Sequence, residues 1–141
     1  MAVKQKVLIL CTGNSCRSQM AEGILRDYGA SRFEVFSAGT KPSSVNPIAI
    51  QVMKEIGIDI SGHRSKHVDE FKGQTFDYVV TVCNIAKESC PFFPGNTKRL
   101  HWEFPDPPHG QEVTPEVLDR FREVRNLICE RFKIVAAKGF V

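Results

Sequence analysis

The run VLILCTGNSCRS, residues 7–18, decides how the chain is read. Its opening residues, Val7 to Leu10, are continuously apolar, the pattern of a strand buried on both faces of a parallel sheet. Cys11 stands at the carboxyl end of that strand. Beyond the loop, Met20, Ala21, Ile24, Leu25 and Tyr28 recur at helical spacing until Gly29 supplies a stop. The order is strand, loop, helix.

The same alternation continues. Phe33 to Ser37 reads as a short strand ending at Gly39. Asn46-Pro47 gives an N-cap with proline at the first helical position, before an apolar stripe of Ala49, Val52, Met53 and Ile56 closed by Gly57. Phe76 to Val82 and Arg99 to Phe104 read as two more strands. Thr114-Pro115 then repeats the cap-and-proline start, before a long helix with the stripe Leu118, Phe121, Val124, Leu127, Ile128 and Phe132. The expected fold is α/β: one domain over residues 1–141, with a mostly parallel four-stranded sheet, helices on both faces and the last few residues frayed. In such sheets ligands bind beyond the carboxyl ends of the strands, where Cys11, Cys83 and the loop carrying Asp106 all emerge.

Composition narrows the function classes. Apolar residues at 42% and charged residues at 25% match ordinary globular usage. The net charge of +3 arises from 19 basic and 16 acidic residues that are interspersed, so no basic stripe tracks a nucleic acid. The apolar run after Lys4 and Lys6 is too short for a signal-peptide core, and no segment approaches a membrane span. A cytoplasmic protein with neither nucleic-acid nor membrane partners is expected, and a monomer. Five cysteines (Cys11, Cys16, Cys83, Cys90 and Cys129) are an odd count, which argues for reactive or buried thiols over a disulfide framework.

The loop Cys11-Thr12-Gly13-Asn14-Ser15-Cys16-Arg17-Ser18 joins strand to helix, so its backbone N–H groups and the helix N-terminus can converge on one tetrahedral oxyanion. Gly13 and Asn14 tolerate the left-handed backbone that a tight cradle needs. Arg17 adds a planar, permanently charged fork. The same positive field favours the Cys11 thiolate, the competent nucleophile, to which Ser18 could donate a hydrogen bond. Cys16 lies within the loop and is expected to serve packing or to act as a second-line thiol. The Gly-x4-Gly-Lys-Ser/Thr pattern of nucleotide-binding loops is absent.

Asp106, in Phe104-Pro105-Asp106-Pro107-Pro108, is held by flanking prolines and suits a general acid, for which partial desolvation is expected. Cys129 is assigned to the core beside Ile128, and His101 beside Trp102 to strand packing. The spacing of Cys83, Cys90 and His101 fits no usual zinc site, and neither a metal nor a cofactor is expected.

From Val7 to Gly23, including CTGNSCRSQMAEG, the sequence resembles the arsenate reductases built on the low-molecular-weight tyrosine phosphatase fold, and the resemblance extends to about residue 134. Phosphatases of that fold carry proline after the loop's Arg-Ser; Gln19 follows here, as in the reductases. The resemblance implies that Cys11 attacks arsenate, that Cys83 attacks the Cys11 adduct and releases arsenite, and that Cys90 attacks the Cys11–Cys83 disulfide at Cys83. The Cys83–Cys90 disulfide would then be reduced by thioredoxin, glutaredoxin or a small thiol, thioredoxin being preferred. Were residues 83–90 helical, the two thiols would share a face but stand about 10 Å apart along the axis. That exceeds the roughly 7 Å Cα limit for a disulfide, so the segment would have to unwind. Some relatives bind potassium beside the loop. Asn14, Glu22 and Ser37 match those positions, but Lys66 replaces the acidic ligand, and no bound potassium is expected. The rival readings are a phosphotyrosine phosphatase with extra cysteines and a non-enzymatic redox or oxyanion sensor.

Overall fold

The computed structural model describes residues 4–83, 95–108 and 112–140. Strands β1 (Gln5–Cys11), β2 (Phe33–Gly39), β3 (Tyr78–Thr81) and β4 (Lys98–His101) form one sheet, with helices α1 (Arg17–Tyr28), α2 (Pro47–Lys54) and α3 (Pro115–Lys138) and a 3-10 turn at Val68–Phe71. The strand order is β2-β1-β3-β4, and every pairing is parallel. This is the expected four-stranded α/β fold.

β1 is central, and Val7, Leu8, Ile9 and Leu10 are all fully buried. Side chains alternate across a strand, so complete burial of consecutive residues requires cover on both faces. On one face Ser37 of β2 bonds Glu22 of α1, and α1 packs on α3. On the other, Phe36 of β2 meets Phe71 of the 3-10 turn and Phe76 at centroid distances of 5.6 and 6.0 Å. Each of the fully buried β1 side chains contributes about 1.5–3 kcal/mol.

Both proline-led helices start as their caps dictate: Asn46 Oδ1 accepts from Ile48 N (2.8 Å) and Thr114 Oγ1 from Val117 N (3.2 Å). The later strands are shorter than expected, Tyr78–Thr81 and Lys98–His101, although Trp102 N and Phe104 N still bond to Thr81 O and Val82 O.

The α3 stripe also differs. Its buried line is Val117, Phe121, Val124, Arg125, Ile128, Phe132 and Val135, whereas Leu127 is 47% exposed. Steps of three and four from Val117 pass through Ile128, and Leu127 lies 100° off that line. Tyr28, assigned to the α1 stripe, is also exposed, with Lys133 Nζ 4.8 Å over its ring. Cys129 is only partly buried, packed against the core rather than within it. At the C-terminus Gly139, at φ 81°, turns the chain so that Phe140 stacks on Tyr78 at 4.3 Å. Cys90 and the unwinding expected between Cys83 and Cys90 fall on residues outside the described ones.

Candidate active site

The loop after β1 is built by its neighbours as much as by its own sequence. Its carbonyls are tied off on the outside. Cys11 O accepts from Thr40 N (3.3 Å), Thr12 O from Lys41 N (2.9 Å), Gly13 O from Ser43 N (3.0 Å) and Ser15 O from Asn46 N (3.0 Å). Asn14 O accepts from Ser65 Oγ (2.6 Å) and Gln19 Nε2 (3.1 Å). In a planar trans peptide the following N–H points opposite the carbonyl. The N–H groups of residues 12 to 16 are therefore turned away from these partners, and the Thr12 N–H bonds the Cys11 thiol. Cys16, the N-cap of α1, makes no side-chain cap bond, so the helix start is left open to an anion.

Asn14 is the one described non-glycine residue at positive φ (48°), while Gly13 has an ordinary φ; of the two residues expected to turn left-handed, one does. Fully buried Asn14 donates from Nδ2 to Ser18 Oγ and Ser37 Oγ (2.9 Å each) and accepts at Oδ1 from Lys66 N (3.0 Å). Gly39, read from sequence only as a strand end, lies against the loop: a Cβ there would stand 2.9 Å from Asn14 N and closer still to the Thr12 carbonyl oxygen.

Arg17 reaches across to the loop after β4. Its Nη1 donates to Phe104 O (3.1 Å) and Nη2 lies 3.4 Å from Asp106 Oδ1. Its side chain is 11% exposed, and its buried Nε has no hydrogen-bond acceptor among the described residues. Asp106 is gathered to the site as expected, but its side chain is 53% exposed rather than desolvated, because the proline-framed loop runs over the surface.

Cys11 and Cys83 are buried side by side at the ends of β1 and the chain leaving β3. Thr12 Oγ1 lies 3.2 Å from Cys83 Sγ. The hydrogen bond between the two thiols and burial push Cys11 well above the ordinary cysteine value, against the opposing pull of Arg17 and the Thr12 N–H. The positive field does favour the Cys11 thiolate as expected, but Cys83 and burial oppose it more strongly. Cys16 is pushed up to about 11, chiefly by burial, with the Ser15 hydroxyl pulling it down.

Behind the loop, Ser37 Oγ donates to Glu22 Oε1 (2.6 Å), and Glu22 Oε2 lies 3.3 Å from His63 Nδ1 and 3.4 Å from Arg26 Nη2. Lys66 Nζ donates to Arg64 O (2.9 Å). His63 and Ser65 carry no signal in the sequence. Both belong to an irregular stretch without apolar period, and their partners lie more than 40 residues away. His101 packs as expected on its strand, with Nδ1 2.7 Å from Thr81 Oγ1.

An arsenate reductase of Halalkalibacterium halodurans is 46% identical over 136 residues, 96% of this chain and 98% of its own. A solved arsenate reductase in the phosphate binding state matches at TM-score 0.75 and 37% identity, covering 96% of this chain and 99% of the other. The thioredoxin-dependent arsenate reductase of Corynebacterium glutamicum matches at TM-score 0.67 and 27% identity, over 96% of this chain and 64% of that one. The model of the low molecular weight phosphotyrosine protein phosphatase family matches residues 6–138. With nearly the whole of its length spanned by that model, the chain belongs to the low molecular weight phosphotyrosine protein phosphatase family.

Proposed function

We propose that this chain reduces arsenate to arsenite. The observation that carries the reading is the Cys83 thiol held in hydrogen-bond reach of Cys11, inside a loop shaped for a tetrahedral anion. Hydrolysis of a phosphoester consumes no electrons and has no use for a second thiol, whereas As(V) to As(III) consumes two. The names of the relatives support the same substrate.

The Cys11 thiolate attacks arsenic while Arg17 and the amides of residues 13–16 hold the oxygens. The orphaned Arg17 Nε is a donor that such an oxygen would satisfy. Ser18 Oγ, which accepts from Asn14, keeps its proton to donate to the Cys11 sulfur. Asp106 protonates the oxygen that leaves as water. Cys83 then attacks Cys11 Sγ: the S–S bond forms, the S–As bond breaks, and its electron pair stays on arsenic, which departs as arsenite. Cys90 attacks Cys83 Sγ and expels Cys11 as thiolate. A donor dithiol reduces the Cys83–Cys90 bond, so arsenate and dithiol yield arsenite, disulfide and water. Thioredoxin is the donor that the Corynebacterium glutamicum relative suggests. We place this cycle in the cytoplasm and in a single-domain monomer. Among the described residues no helix is long and apolar enough to cross a membrane.

The test is arsenite production from arsenate with thioredoxin, its reductase and NADPH. Wild type should oxidise NADPH only when arsenate is present, and Cys83→Ala and Cys90→Ala should each abolish turnover. No arsenate-dependent oxidation by wild type would overturn the proposal. The second reading, phosphatase activity, is favoured by the shared cradle and by the Arg17–Asp106 pair. It predicts hydrolysis of p-nitrophenyl phosphate that survives Cys83→Ala.

A further inference from the structure

Four of the five loop carbonyls are held by backbone amides of residues 40–46, which no substitution short of proline can remove. The Asn14 carbonyl differs: side chains hold it, Ser65 Oγ at 2.6 Å and Gln19 Nε2 at 3.1 Å. We infer that Gln19 and Ser65 are positioning residues for the oxyanion site, clamping the Asn14–Ser15 peptide so that the Ser15 N–H faces the anion. The inference rests on the loop being an oxyanion cradle.

Asn14 has a left-handed backbone, which asparagine tolerates better than other residues with a Cβ. Rotation of the Asn14–Ser15 peptide would swing a carbonyl oxygen toward the anion in place of an N–H. Two donors on the outside oppose that rotation. Gln19 is itself fixed. Fully buried, it spends both Nε2 protons on carbonyls, those of Asn14 (3.1 Å) and Arg64 (3.0 Å), and offers Oε1 to His63 Nδ1 at 2.9 Å. Gln19 Oε1 and Glu22 Oε2 can only accept, so His63 Nδ1 carries the proton, and the ring locks the amide in the orientation that donates to Asn14. A proline at position 19 could supply none of these bonds. The glutamine that follows Arg17-Ser18 thus ties the loop to the segment of residues 63–65.

The experiment compares binding of inorganic phosphate, by calorimetry, to wild type, Gln19→Met, Ser65→Ala, Ser65→Thr and the Gln19→Met/Ser65→Ala double variant. Far-UV circular dichroism and thermal melting of each show that it is folded. Loss of either donor should weaken phosphate binding about tenfold, the scale of one hydrogen bond to a buried acceptor. The double variant should lose more than either single variant, and Ser65→Thr, which keeps the hydroxyl, should bind like wild type. In 15N-labelled protein the Ser15 amide resonance should shift on phosphate addition in wild type and much less in the double variant, a signature that general destabilisation would not produce. Folded variants that bind phosphate as tightly as wild type would overturn the clamp while leaving the oxyanion site intact. Failure of wild type itself to bind phosphate would overturn the cradle and the clamp together.

Discussion

Gly39→Ala tests whether the loop is shaped from outside. The added Cβ would stand 2.9 Å from Asn14 N and 3.1 Å from Asn14 Cβ, and nearer still to the Thr12 carbonyl oxygen. Real Cβ atoms essentially never approach other heavy atoms closer than 3.0 Å, and ordinary contact begins near 3.4 Å. The obstructing atoms are mostly backbone, so no side-chain rotation relieves the clash. The nearest atom, the Thr12 carbonyl oxygen, sets the shift: either β2 or the loop must move by roughly 1 Å to restore ordinary contact. The loop is the freer of the two, because β2 is fixed along seven register pairs to β1. Overpacking of this kind costs about 1–3 kcal/mol, or about 3–9 °C in Tm for a domain of this size. Displacing a reacting group by about 1 Å can cost about a hundredfold in rate, so kcat/KM for arsenate should fall by about that factor. Thermal melting and the thioredoxin-coupled NADPH assay would measure the two effects. A variant with wild-type Tm and kcat/KM within twofold would refute the reasoning, since the loop would then not rest on position 39.

The charges carry three further predictions. Cys83→Ala removes the largest influence raising Cys11 and leaves Arg17 and the Thr12 N–H to lower it. The pH midpoint for alkylation of Cys11 by iodoacetamide should therefore fall, and an unchanged midpoint would show that Cys83 does not share the charge. Glu55 is held down at about 2, first by its hydrogen bond with Arg122 and then by that with Arg125. Its contribution to stability is complete above its ordinary value of 4.5 and is lost as the pH falls through about 2. Because the carboxylate is a third exposed, Glu55→Gln should cost about 1 kcal/mol at pH 7, and urea melts of the two proteins should converge as the pH approaches 2. Turnover should be equal in potassium and sodium chloride at one ionic strength, since the Lys66 ammonium, which donates to Arg64 O, already answers the Glu22 carboxylate. Faster turnover in potassium would contradict this.

Where a structural feature depends on neighbours in sequence, the sequence reveals it. The buried strand at Val7–Leu10 and the caps at Asn46 and Thr114 are local patterns with a direct physical meaning, and all three stand in the fold. The Leu127 assignment failed because a stripe read in steps of three and four admits two lines on a long helix, and only contact with α1 and α2 selects one. Buried Arg125 was invisible for the opposite reason. A charge on the apolar line looks like an interruption until Val52 O and Glu55, some 70 residues away, are seen to receive it. The same limit applies at the site. Cys11, Arg17 and Asp106 could be named as a set from residue chemistry and strand ends, and Arg17 does meet Asp106. Gly39, His63 and Ser65 could not, because their roles consist of contacts with the loop, Gln19 or Glu22.

The distribution of charge between Cys11 and Cys83 bears on the order of the proposed steps. Two buried thiols in hydrogen-bond contact do not both ionise readily, since the second charge would form beside the first in a site that already penalises one. The Cys83 hydrogen bond and burial hold Cys11 protonated, while Arg17 pulls the other way. Once Cys11 is bonded to arsenic it no longer competes for that charge, and Cys83, with Thr12 Oγ1 3.2 Å from its sulfur, is free to become the thiolate for the second attack. The contact that holds Cys11 back in the free protein would then activate Cys83 as soon as the first bond forms. A phosphatase would gain nothing from this arrangement, because its second step uses water.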